Sequence, residues 1–328
     1  MKKLRVFQTV KKRRIVPGFS LKNLGAVLLL LLIIPYLITF LFGNLSSQDI
    51  KEKGSLSTDS DTYVCNVTSL GSEHIPLEIY VADRLARSID NDFEIEALKA
   101  QAVLLRSALM VIKENEPDKA EIKVEDAGYG SRALSERILK AVEQTEGVCL
   151  LWEGKPVGGA YLKVSNGATR NGEELFPSEY SYLKSVICSR DFLSEDYISK
   201  VSYSEEEFEK IWNRISTLDV SKNEIREEDK SETELENFKI YRDSVGYVLY
   251  VEREGKYVSG ERFREAYQLS SASFHMEKED MQIVFTVKGA GHGFGMSQFT
   301  ANELAKEGED YIDILKYFFQ DVTITKNE

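Results

Sequence analysis

From Leu24 to Phe42 the chain carries no charged side chain and is dominated by Leu and Ile. At ~1.5 Å per helical residue this run matches the roughly 30 Å hydrocarbon core of a bilayer, and Pro35 is tolerated there as a kink. Residues 1–22 hold eight Lys or Arg and no acid, and the first acid after the run is Asp49. Positive charge on one side only orients such a helix with its N-terminus in the cytoplasm. The expected organisation is a basic cytoplasmic segment (1–23), a transmembrane helix (24–42), a polar linker (43–60) and an extracytoplasmic domain (61–328). Two other readings compete. A cleaved signal peptide lacks a small-x-small site around Phe42-Gly43-Asn44, and a buried core helix leaves the one-sided basic flank unexplained.

The whole chain has 42 basic and 54 acidic residues; without the first eight basic ones, 34 remain against 54, a net of −20. A body this acidic cannot neutralise phosphates along a nucleic acid, so no nucleic-acid partner is expected. Hydrophobic residues at 42% and aromatic ones at 10% supply a core of ordinary size. Cys65, Cys149 and Cys188 are widely spaced and odd in number, and the histidines are His74, His275 and His292. No CxxC occurs, and neither a metal site nor a cofactor is expected.

Thr62 to Thr68 reads as a strand and Leu77 to Ser88 as a short helix. Asn91 and Glu94 have the spacing of a capping box, with Asn replacing the usual Ser or Thr. They precede the clearest helix, in which Ile95, Leu98, Ala102, Leu105, Leu109 and Ile112 form one apolar stripe that stops at Glu116-Pro117. Leu134 to Glu146 reads as another helix, and residues 147–172 as short strands punctuated by Gly. Residues 203–243 read as a charged insertion: a surface helix through Phe208, Ile211, Trp212 and Ile215, then a solvated loop over Glu227–Glu236. Val245 to Arg253 and Met281 to Val287 read as strands. Met296 to Lys306 and Tyr311 to Phe319 read as helices. The fold class expected is α+β, mixed helices and short antiparallel strands in one domain.

Three segments stand out. The first is Glu96-Ala97-Leu98-Lys99-Ala100-Gln101-Ala102-Val103, followed by Arg106. The second is Tyr161-Leu162-Lys163-Val164-Ser165-Asn166-Gly167-Ala168-Thr169, with Tyr182-Leu183-Lys184-Ser185-Val186 beyond it. The third is Gly289-Ala290-Gly291-His292-Gly293-Phe294-Gly295-Met296-Ser297-Gln298. In this order they resemble the stage II sporulation protein D (SpoIID/LytB) family, from about Tyr63 to about Ile324. The resemblance implies peptidoglycan glycan strands as the ligand, and lytic transglycosylases that work beside an amidase and other engulfment proteins, or amidase enhancers. It also implies one catalytic acid, eight residues before Glu96. That position is Ser88, and a serine hydroxyl cannot act as a general acid near neutral pH. Leu162 stands where the family has His, and the segment Val124 to Gly130 lacks the Cys and His with which some relatives bind zinc. These departures imply a domain that binds glycan, or enhances or scaffolds a wall hydrolase, without cutting. The alternatives are an active transglycosylase with a relocated carboxylate and a purely structural envelope protein.

Glu96 is one substitute acid in sequence, and Asp90, Asp92 and Glu94, close to Ser88, are others, although Glu96 also suits the helix dipole and the other three suit helix capping and solvation. Arg106 either binds a substrate carboxylate or pairs with an internal acid. Tyr161, Ser165, Asn166, Gly167, His292, Gly293, Ser297 and Gln298 complete the expected cleft. His292 either hydrogen-bonds a sugar or is a satisfied structural histidine; Ser297 and Gln298 either cap the next helix or line the cleft.

Overall fold

The computed structural model describes residues 63–67, 73–116, 118–119, 121–176, 180–216, 231–235 and 237–326. The basic segment, the expected membrane helix and the linker lie outside the described residues. Among the described residues no helix is long and apolar enough to cross a membrane.

Strand β1 (Val64–Val67) pairs antiparallel with β2 (Glu73–Pro76) and parallel with β3 (Glu121–Val124). Pro76, which cannot continue a helix backwards, sits at the N-terminus of α1 (Leu77–Ser88). That helix has the boundaries its sequence predicts. It ends where Ile89 turns extended, and six residues later α2 (Ile95–Asn115) begins. Ser135 caps α3 (Glu136–Glu143) by accepting the Ile138 N–H.

Helix α2 corrects the one-stripe expectation. Leu98, Ala102, Leu105 and Leu109 face a cluster shared with α1, α3 and the first sheet. Ala97, Ala100, Val103 and Leu104 face a second cluster with Leu150, Phe294, Ile314 and Phe318. A helix apolar on two faces is a buried one. The Asn91–Glu94 capping box does not form: Glu94 is the N-cap residue without a side-chain bond, and its N–H donates to Asn302 Oδ1 at 2.7 Å.

The second layer contains β4 (Val148–Trp152), paired antiparallel with β5 (Lys155–Pro156) and with β15 (Thr323–Lys326). The two-residue turn Glu153-Gly154 has φ of 51° and 79°, the primed-turn geometry that Gly favours. Strand β6 (Tyr161–Leu162) pairs in parallel with β14 (Met296–Ser297). With the β1–β3 pair, this makes the sheets mixed rather than only antiparallel. Helix α7 (Gln298–Lys306) follows directly, with Ser297 as its cap, two residues later than the sequence suggests; α8 (Tyr311–Phe318) then packs against α2.

The third core spans the expected insertion. Short α4 (Gly172–Leu175) and a 3-10 turn (Ser189–Leu193) lead to β7 (Ile198–Ser204) and α5 (Glu205–Ile215), which starts in a true capping box of Ser204 and Glu207. The segment expected as solvated loop contains β8 (Ser231–Leu235), which pairs with β9 (Phe238–Arg242). Strands β10 (Val248–Arg253) and β11 (Lys256–Ser259) complete that sheet, and α6 (Gly260–Ala266) follows. Strands β12 (Phe274–Glu279) and β13 (Gln282–Lys288) form an antiparallel sheet with β7. Phe208, Trp212, Leu235, Phe238 and Ile240, all from residues 203–243, are buried in one cluster with Phe263, Tyr267, Phe274 and Phe285. Charge on the outer face hid the apolar residues that build this core.

Arg106 belongs to the core and not to a cleft. Its Nε and Nη2 donate to the Glu78 carboxylate at 2.7 and 2.6 Å, and its Nη1 donates to the Val148 carbonyl at 3.0 Å. The side chains are 1% and 5% exposed. Breaking such a pair from one side leaves an uncompensated buried charge. Arg106→Met is expected to lower unfolding stability by about 3–5 kcal/mol, read from the urea midpoint. A loss below about 1 kcal/mol, the range of surface pairs, contradicts this role.

Candidate functional site

A cleft of about 1040 Å³ opens where α1 ends. One wall is the end of α1 and its loop: Arg87, Ser88, Ile89, Asp90, Asn91 and Phe93, with Arg132 beside them. The floor is β6 and its continuation, Tyr161 to Val164, together with Ala290 and Gly291. Ser194, Glu195 and Asp196 lie along another edge, and Gln298 and Phe299 close the site from α7.

Ser88 is half-buried, its hydroxyl 3.4 Å from the Leu85 carbonyl. Its own carbonyl accepts a hydrogen bond from Gln298 Nε2 at 2.8 Å, and the same nitrogen lies 3.2 Å from Gln101 Oε1. One amide thus ties the end of α1 to α2 and α7. Arg87, next to Ser88, is turned into a network: it donates to Asp83 (2.8 Å) and to both Asp126 oxygens, and Tyr80 donates to Asp126 Oδ2 at 2.9 Å. Burial alone would raise the Asp126 carboxyl, but the hydrogen bonds from Arg87, Tyr80 and the Gly128 N–H hold it below the usual range. This ion-paired network fills part of the Val124–Gly130 segment. Among the described residues no group of three His, Cys, Asp or Glu could hold a metal ion.

Of the residues expected in the cleft, Tyr161 and Gln298 line it, as does the Ser88 position. The others do not, and each has a structural use. Glu96 accepts bonds from Lys99 Nζ (2.6 Å) and the Tyr311 N–H (3.1 Å). Glu94 is the exposed N-cap of α2. Ser165 is buried and accepts the Gly167 N–H at 3.1 Å. Asn166 donates to the Val245 carbonyl (2.8 Å) and Ser273 Oγ (3.0 Å), joining this loop to the third core. Gly167 has φ of 113°, with the Phe192 ring where a Cβ would stand. Gly293 packs on Arg170 and Tyr247. Ser297 is a buried helix cap.

His292 is half-buried, lies outside the cleft lining and is held by backbone bonds. Its Nδ1 accepts the Phe294 N–H at 3.1 Å, so Nδ1 carries no proton, and the other ring nitrogen bonds the Tyr161 backbone. Burial lowers its pKa, and the backbone bond opposes that shift only in part.

No motif or spacing in the sequence points to Asp191. Fully buried, it accepts bonds from the Ser165 N–H, Ser297 Oγ and Thr300 Oγ1, each at 2.7 Å. Arg132, Glu195 and Asp196 were missed as well; no motif contains them. Lys163 sits inside the second motif and pairs with Asp196 at 2.7 Å.

A model described as "Stage II sporulation protein" (SpoIID) matches residues 68–152. "Stage II sporulation protein D" of Bacillus subtilis (strain 168) is 32% identical over 275 residues, covering 77% of this chain and 76% of that protein. The Bacillus amyloliquefaciens protein of the same name is 31% identical over 275 residues, covering 77% and 75%. The chain belongs to the stage II sporulation protein D family. An "Amidase enhancer" of Bacillus subtilis is 24% identical over 276 residues, covering 71% of this chain and 38% of the longer protein. Of the three segments singled out in the sequence, the second contributes Tyr161 to Val164 and the third Ala290, Gly291 and Gln298 to the cleft lining, while Gln101 of the first bonds Gln298 from behind.

The unfolded chain takes up a proton on His292 as pH falls through ~6.5, whereas the folded chain resists it, so this residue's contribution to stability is lost on acidification. Between pH 7 and pH 5 the wild type is expected to lose more melting temperature than His292→Gln. Equal losses contradict an imidazole that the fold keeps neutral.

Proposed function

We propose that this chain is a membrane-anchored member of its family, held by residues 24–42 with residues 61–328 outside the cytoplasm. Its cleft binds peptidoglycan glycan without cutting it, and it supports a wall hydrolase such as an amidase during sporulation. The coarse part of this reading, sporulation and the cell wall, is supported by the family and by the names of its relatives.

The observation that carries the non-cutting part is Ser88. Transglycosylation needs a carboxylic acid that protonates the glycosidic oxygen and then, as carboxylate, takes the proton of the sugar's 6-hydroxyl as it attacks the anomeric carbon. Such a group keeps its proton near neutral pH through enclosure by apolar surroundings. Ser88 lines the cleft, stands where the resemblance calls for the acid, and as a hydroxyl cannot give up a proton in that range. A second reading has one specific observation in its favour: Asp90, Glu195 and Asp196 also line the cleft. All three are exposed, without that enclosure, which is why the binding role is preferred.

The test is incubation of the full chain, in detergent, with amidase-treated peptidoglycan. No 1,6-anhydro sugar ends are expected from the wild type, whereas Ser88→Glu is expected to produce them. Anhydro ends made by the wild type and abolished by Asp90→Asn, Glu195→Gln or Asp196→Asn establish the relocated acid and refute the non-cutting reading.

A further inference from the structure

The cleft is lined by three cations, and two of them are already spent. Arg87 is bound by Asp83 and Asp126. Lys163 lies 2.7 Å from the Asp196 carboxylate. The third, Arg132, is exposed and donates one Nη1–H to the Ala86 carbonyl at 3.1 Å. Among the described residues no carboxylate comes within ion-pair distance of it. Anchoring on a neutral carbonyl steadies the guanidinium without cancelling its charge, and leaves its other N–H groups for a ligand. The setting sharpens the point: residues 23–328 carry a net charge of −20, so a lone uncompensated cation at a cleft runs against the field of the whole body.

We infer that Arg132 is a specificity-determining residue that recognises a carboxylate on the bound sugar strand. The inference rests on the glycan-binding reading of the cleft. A guanidinium presents two parallel N–H groups that match a carboxylate in a bidentate fork, a geometry a neutral hydroxyl or amide cannot reproduce. In a wall glycan the group of this chemistry is the lactyl carboxylate of N-acetylmuramic acid. It is charged when free and is lost as an anion when amide-bonded.

The test uses the full chain in detergent and three labelled tetrasaccharides, with binding read by fluorescence anisotropy. One is the neutral N-acetylglucosamine tetramer. The second alternates N-acetylglucosamine with N-acetylmuramic acid bearing free carboxylates. The third is the same compound with its carboxylates blocked as methyl amides. The free acid is expected to bind roughly tenfold tighter than the other two, and the preference to shrink as salt rises. Arg132→Gln is expected to abolish the preference, bringing the free acid's affinity down to that of the amide-blocked compound. Arg132→Lys, which keeps the charge and loses the fork, is expected to reduce the preference, and serves as the variant if Arg132→Gln does not fold. Equal binding of all three compounds by the wild type overturns the inference and leaves glycan binding standing. So does a preference that survives loss of the fork undiminished. Failure of all three to bind overturns both.

Discussion

The cleft depends on one buried carboxylate. Asp191 has no exposure, and neutral donors hold it: the Ser165 N–H and the hydroxyls of Ser297 and Thr300. A buried charge is tolerable only when its lone pairs are satisfied, so these donors are not free to leave. They come from the loop after β6, from the residue that caps α7 and from α7 itself, while Asp191 sits on the 3-10 turn just before Ser194–Asp196. Asp191 thus ties together the elements that carry Lys163, Val164, Glu195, Asp196, Gln298 and Phe299 to the cleft, alongside the backbone bonds of Lys163 and Val164 with Ala290 and of Phe299 with Lys163, and it lies outside the cleft lining itself.

Around this hub further side-chain bonds hold the cleft walls together. Gln298 clasps the Ser88 carbonyl and reaches Gln101, which aligns the end of α1 with the helices behind it. The Asp126 segment is fastened by Arg87 and Tyr80. Such a cleft has the order needed to bind an extended polar ligand. What it lacks at residue 88 is a group that can exchange a proton near neutral pH. Arg132 then adds a charge that no carboxylate among the described residues pairs with.

The long periodic elements could be read from the chain: α1 has its expected ends, and α2 stops before Pro117. Their roles were harder to read, because the residues between the stripe positions of α2, such as Ala97, Ala100 and Leu104, are apolar too and face a second core. Residues 203–243 misled because their charges lie on outward faces of elements whose inward residues alternate over short strands, too few for a period to emerge. The alternating glycines around His292 correctly signalled tight backbone. Gly295 has φ of 74°, and a Cβ there would fall 2.1 Å from the Ala160 carbonyl oxygen. That packing is internal, so the turn supports the cleft instead of lining it beyond Gly291. Asp191, Arg132 and the Arg87–Asp126 pair were illegible for one reason. Each acts through partners tens of residues away, and no local spacing records such a meeting.

The central claim is that the cleft holds glycan and leaves it whole. Insoluble peptidoglycan, stripped of its peptides and incubated with the full chain, reports both halves when the pellet is assayed for protein and the supernatant for sugar. The expected result is protein in the pellet and no soluble sugar above the protein-free control. Sugar released in proportion to added protein, or protein left wholly in the supernatant, contradicts it.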